Sequence, residues 1–176
     1  MTEVLLLGMM YPKGGIFVDH RQFMEEALLL AKEAAAEGEV PVGCVIVRDG
    51  QIVGRGRNHR ETEKTALGHA EIQAIEEACR NLGGWRLWDC TLYVTLEPCP
   101  MCAGAIINAR IPKVVFGASD DKYGACGSVC DLFSMAFNHQ PAVEKGVLEE
   151  EAAALMQEFF RNLRIELRTR PKWKRP

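Results

Sequence analysis

Two short segments, His69-Ala70-Glu71 and Pro98-Cys99-Pro100-Met101-Cys102, constrain this fold more than any other feature of the chain. Far apart in sequence, they must converge if they act together. They then supply one imidazole, two thiolates and one carboxylate. A structural zinc site closes with four protein ligands, whereas a catalytic one keeps a position open. Here the natural count is three, His69, Cys99 and Cys102, with Glu71 spare beside them. Thiolate and imidazole suit zinc, while magnesium and calcium prefer oxygen. Bound zinc lowers the pKa of water from about 16 to about 7. A carboxylate that is not a ligand can take the proton such water releases and pass it to the reacting group. Glu71 is the only acidic residue within the His69 segment and is read as that catalytic group.

The spacing also predicts local structure. Cys99 and Cys102 lie three apart, so the first turn of one helix presents both. Pro100 fits an early helical position, where the helix dipole favours thiolates. His69 and Glu71 are two apart and share no face of a regular helix. That spacing predicts the pair at the very start of a helix. Taken singly, these residues read as a core histidine and buried free cysteines. All four at this spacing read as a metal site, with one Zn2+ per chain.

At 176 residues the chain fits one domain able to bury its own core. Its seven cysteines form no even, regular framework, which points to a reducing compartment, the cytoplasm. Cys126 and Cys130 lack a nearby histidine and read as small loop or core residues. The apolar run from Val4 to Met10 follows Glu3 and is short. It reads as neither a signal peptide nor a membrane span. Net charge is −3, yet residues 161–176 carry seven basic residues and one acidic. Such a tail attracts phosphate with salt-dependent affinity, or is simply a solvated terminus.

Along the chain, residues 1–18 read as a flexible extension. Asp19 reads as an N-cap with Gln22 completing a capping box, followed by Phe23, Ala27, Leu30 and Ala34 at helical spacing and a stop at Gly38. Val42 to Val47 is a buried-type strand, and Asp49-Gly50 a hairpin turn into a strand over 51–56. A polar loop leads to the His69 helix, closed by Gly83-Gly84. Strands are expected over 91–95, 113–117 and 142–147, and a helix from the cysteine motif to about Arg110. Residues 118–140 read as a long loop with a short helix around 131–136. Residues 149–169 form an amphipathic helix with Ala152, Met156, Phe159 and Leu163 on one stripe. Alternating helices and strands imply a layered α/β domain, spanning 19–167, before a basic tail at 168–176.

The chain resembles the cytidine and deoxycytidylate deaminase superfamily, and within it the bacterial tRNA adenosine deaminases, from about Phe23 to Arg164. The likeness is densest over residues 91–106 and over Val114-Val115-Phe116-Gly117-Ala118. Gly124-Ala125-Cys126-Gly127-Ser128, Phe137-Asn138-His139 and Glu158-Phe159-Phe160-Arg161 narrow it to the tRNA-acting group. The resemblance implies a three-layer α/β/α fold with a central mixed sheet, and conversion of the wobble adenosine of a tRNA anticodon to inosine. An anticodon loop offers unstacked bases able to reach a metal. It further implies that Asn58 bonds the substrate nucleoside and that backbone groups of Ala70 and Pro98 touch the base. RNA contacts are expected at Asp120, Lys122, Asn138, Phe160 and Arg161, with Phe159 in the core. The family is typically homodimeric. Two other readings use the same residues: deamination of free guanine or cytosine, and a non-catalytic zinc-containing RNA-binding partner. The intact Glu71 speaks against the last, which has no use for a proton carrier.

Overall fold

The computed structural model describes residues 19–169. The expectations for the extension at 1–18, and for the tail beyond 169, lie outside the described residues. Helix α1 (His20–Ala36) starts at Asp19, whose side chain accepts from the Arg21 amide. A capping box would use the third helical amide rather than this second one, so Asp19 caps the helix as expected but not as part of a box. Strands β1 (Gly43–Arg48) and β2 (Gln51–Arg57) form the expected hairpin. Asp49 and Gly50 both take positive φ, 51° and 76°, as a type I′ turn requires.

The loop after β2 contains a one-turn helix, α2 (Arg60–Glu63), where the sequence suggested only a loop. None of its residues is buried, so it leaves no hydrophobic period to read. Helix α3 (Ala70–Leu82) ends on Gly83 in the left-handed region, as expected. Strand β3 (Cys90–Leu96), helix α4 (Pro100–Ala109) and strand β4 (Lys113–Ala118) follow. The helix expected over 131–136 is absent. Asp131 instead accepts from the Phe133 and Ser134 amides, and the Ser134 hydroxyl bonds the Asp131 carbonyl. Such local side-chain bonds compete with helix formation. Strand β5 (Ala142–Lys145) and helix α5 (Glu149–Thr169) complete the chain.

The sheet runs β2-β1-β3-β4-β5. β1 is antiparallel to both its neighbours, and β3-β4-β5 are parallel, so the sheet is mixed. Alternation along the strands builds two cores. Val45, Val47, Tyr93 and Val115 face α1 and α5, packing on Met24, Ala27 and Ala152. Ile46, Leu92, Val94, Val114 and Phe116 face α3 and α4, packing on Ala74, Ala78, Ala103 and Ile106. Three layers, α/β/α, result. Gly56 fixes how closely α3 lies on β2: a Cβ there would sit 2.0 Å from the Ala70 carbonyl oxygen. Only glycine permits that approach, which seats the first turn of α3 against the sheet. No described helix is long and apolar enough to cross a membrane.

Candidate active site

Both halves of the site are helix starts. His69 is the residue before α3, in extended conformation (φ −91°, ψ 148°), and Cys99 holds the same place before α4 (φ −73°, ψ 170°). Neither side chain caps its own helix, so both are free for other work. Pro100 occupies the first helical position, where its missing N–H leaves no orphan. Cys102 follows in the same turn, fully buried. Glu71 sits one residue into α3 and is 4% exposed. The half-extended start of α3 thus resolves the two-residue spacing: His69 departs before helical geometry is imposed, and Glu71 after it.

The three donors converge. His69 Nδ1 lies 3.6 Å from Cys99 Sγ and 3.5 Å from Cys102 Sγ, and all three donor atoms fall within 4.8 Å of one another. A tetrahedral zinc with Zn–S of about 2.3 Å and Zn–N of about 2.05 Å requires a sulfur–nitrogen edge of roughly 3.6 Å. The donor set therefore fits zinc in chemistry and in spacing. It is the only such cluster among the described residues, with Cys126 buried and Cys130 exposed elsewhere. His59 and His139 bond the backbone carbonyls of Arg57 and Ile111, away from the cluster, as expected.

The cluster is electrostatically primed. The hydrogen bond from Cys102 pulls the Cys99 thiol down to about 4, against burial and with help from His69. The same bond, with burial, pushes the Cys102 thiol up. His69 is raised chiefly by its bond to Cys99. Burial raises Glu71 to about 7. A carboxyl poised near neutrality can take and return a proton.

These groups open onto a cavity of about 820 Å³, within the usual range for small-ligand sites. Asn58, His69, Glu71 and Cys99 line it, and so do three of the expected RNA contacts, Asp120, Lys122 and Phe160. Phe160 is exposed while Phe159 is half-buried, meeting it edge to face at 5.4 Å. Ala70 and Pro98 are buried and do not line the cavity, and the Pro98 carbonyl accepts from the Ala125 amide at 2.8 Å. Asn138 and Arg161 are exposed and also outside the lining, with the Asn138 side chain accepting from Arg110.

Two acidic residues escaped the sequence reading. Glu39 is fully buried and lines the cavity. Glu97 is 3% exposed, and its carboxylate accepts from the amides of Asp120, Cys126 and Ser128 and from the Ser128 hydroxyl. It ties the segment from Asp120 to Ser128, whose first residues line the cavity, to the cysteine motif. An acidic residue placed between an apolar strand and the motif was the available signal.

A mixed five-stranded sheet with histidine and paired cysteines at adjoining helix starts defines a deaminase of the cytidine deaminase-like class. The chain belongs to the MafB19-like deaminase family, which matches residues 18–164. It is 53% identical over 143 residues to a tRNA-specific adenosine deaminase of Bacillus subtilis, covering 81% of this chain and 89% of that one. It is similar, at a TM-score of 0.74 and 44% identity, to a structure from studies of A-to-I editing by tRNA:A34 deaminases at the wobble position of transfer RNA. That match covers 76% of this chain and 98% of the other. A guanine deaminase from Nitrosomonas europaea shares the fold at a TM-score of 0.66 and 22% identity, over 90% of this chain and 97% of that one.

Proposed function

We propose that this chain hydrolyses the wobble adenosine of a tRNA anticodon to inosine, releasing ammonia. The observation that carries the chemistry is the convergence of His69, Cys99 and Cys102 beside a buried Glu71 at the floor of an open cavity. The substrate follows from the 53% and 44% identities to tRNA-acting deaminases. The guanine deaminase neighbour, at 22% identity, shares only the fold.

His69, Cys99 and Cys102 would hold one zinc per chain, and zinc when bound supplies water acidified to near neutrality. Glu71 would take a proton from the attacking water and deliver it to N1 of the adenine ring. It would then take the proton of the hydroxyl newly added at C6 and hand it to the exocyclic amine, which leaves as ammonia as the C6 carbonyl forms. Burial keeps Glu71 from being hydrated by bulk solvent, so the proton stays within the site. Asn58, which lines the same cavity, contacts the nucleoside. Asp120, Lys122 and Phe160, at the rim, meet the flanking anticodon loop, and Asn138 and Arg161 extend that surface outward.

The protein works in the cytoplasm, as a homodimer, with the tRNA anticodon stem-loop as its partner. The basic residues at 168–176 add phosphate affinity. The test is incubation of zinc-loaded protein with an anticodon stem-loop, free guanine and free cytosine, read by mass spectrometry. Inosine in the stem-loop, with both bases untouched, is the expected result. Turnover of a free base with none on the RNA overturns the substrate assignment.

A further inference from the structure

The cavity wall holds a second buried carboxylate that the deamination steps leave unused. Glu39 lies just beyond α1 and is fully buried, and Asn58 beside it is 6% exposed. Glu39 Oε1 accepts from both the amide and the hydroxyl of Thr62 in α2, each at 2.6 Å. Its Oε2 accepts from Asn58 Nδ2 at 3.0 Å. Asn58 is also anchored through its backbone, its amide donating to the Val42 carbonyl at 3.0 Å.

An ionised carboxylate only accepts, so the Asn58 group that faces it must be the amide NH2. Turning the carboxamide over would set its carbonyl oxygen against a buried carboxylate oxygen with no proton between them. The carboxylate therefore decides which way the amide lies. One N–H is committed to Glu39. One N–H and the carbonyl oxygen remain, in fixed order, and that oxygen accepts no hydrogen bond from any described residue.

We infer that Glu39 is a positioning residue that locks the Asn58 carboxamide in one orientation, so that the base meets a donor and an acceptor in set order. The inference rests on the reading of Asn58 as a base contact. Adenine's N7/N6 edge offers an acceptor beside a donor, the pair that an asparagine amide reads with two bonds. Guanine's N7/O6 edge offers two acceptors and leaves one facing the amide oxygen. The lock thus sets the donor and acceptor in the order that adenine's N7/N6 edge requires. Glu39 remains ionised in support of this: burial raises its carboxyl, but the Thr62 bonds outweigh burial and hold it below its ordinary value.

The test compares wild type, Glu39→Gln, Asn58→Ala, and Glu39→Gln combined with Asn58→Asp, all zinc-loaded, on an adenosine stem-loop. In Glu39→Gln the new amide keeps its oxygen on the two Thr62 donors and turns its NH2 to Asn58, forcing Asn58 to reverse. We expect kcat/KM to fall roughly 10- to 100-fold with zinc content unchanged, matching Asn58→Ala. The combined variant remakes the hydrogen bond with donor and acceptor exchanged. Its thermal midpoint should return toward wild type while kcat/KM stays low. Should Glu39→Gln fail to fold, the combined variant carries the same test. Wild-type kcat/KM in Glu39→Gln, or its recovery in the combined variant, overturns the role of Glu39 while leaving the deaminase reading intact. An unimpaired Asn58→Ala overturns the base contact and the lock together. Wild-type protein inactive on the stem-loop overturns the tRNA-substrate reading on which the lock rests.

Discussion

Replacing Glu97 by alanine should cost about 3–5 kcal/mol of stability, and the number follows from where its four donors lie. Glu97 is buried, and its two oxygens accept the Cys126 amide at 2.9 Å, the Asp120 and Ser128 amides at 3.1 Å, and the Ser128 hydroxyl. Hydrogen bonds to a charged group contribute about 1.5–3 kcal/mol each. Ser128 is exposed and Asp120 partly so, and their donors regain water when the carboxylate goes. Cys126 is 8% exposed, so its amide is left without a partner at a further cost of about 1–3 kcal/mol. For a chain of this size that total lowers Tm by roughly 6–20 °C. Glu97→Gln keeps one accepting oxygen and should cost less, about 1–2 kcal/mol. Urea unfolding of zinc-loaded protein gives the magnitude, and amide hydrogen exchange locates it. The Cys126 and Ser128 amides should exchange faster than those of β3. A Glu97→Ala protein within about 1 kcal/mol of wild type, with unchanged exchange at those amides, refutes the clamp.

Three other outcomes are expected. Glu71→Ala should keep zinc and RNA binding while losing at least about 100-fold in turnover, the smaller end of what a positioned proton carrier contributes. Single-turnover kinetics beside metal analysis checks this, and wild-type turnover contradicts the mechanism. Glu39, held below its ordinary value, stabilises fully above the unfolded carboxyl pKa of about 4.3 and progressively less as pH falls through its lower folded value. The stability gap between wild type and Glu39→Gln should therefore narrow below about pH 4, and a gap that widens there contradicts the assignment. Removing residues 168–176 should weaken stem-loop binding and flatten its salt dependence, read by fluorescence anisotropy at several salt concentrations. Unchanged binding makes the tail a bystander.

Local signals carried much of the architecture. The 3.6-residue period of α1, α3 and α5, the buried runs of β1, β3 and β4, and the Asp49-Gly50 turn were all readable because each is written within a few residues. The cluster of His69, Cys99 and Cys102 was readable for another reason. Their residue types are uncommon together, and a proline at the start of α4 and a two-residue His–Glu spacing both point to helix starts. What escaped depends on distant partners. Glu39 bonds residues 19 and 23 positions away, and Glu97 bonds residues 23 to 31 positions away. In sequence both look like ordinary solvated acids. Helix α2 escaped because it has no buried face, and the helix expected at 131–136 was displaced by Asp131 bonding its own backbone. Among the expected RNA contacts, Asp120 and Lys122, just past the end of β4, and Phe160, within α5, line the cavity, whereas Asn138 and Arg161 do not.

X-ray absorption at the zinc edge of the loaded protein examines the metal centre most directly. Two sulfur scatterers at about 2.3 Å and two lighter neighbours at about 2.0–2.1 Å, one zinc per chain, is the pattern that His69, Cys99 and Cys102 with an exchangeable fourth position should give. A third sulfur, or a fourth protein ligand that substrate cannot displace, would describe a purely structural ion and contradict the account.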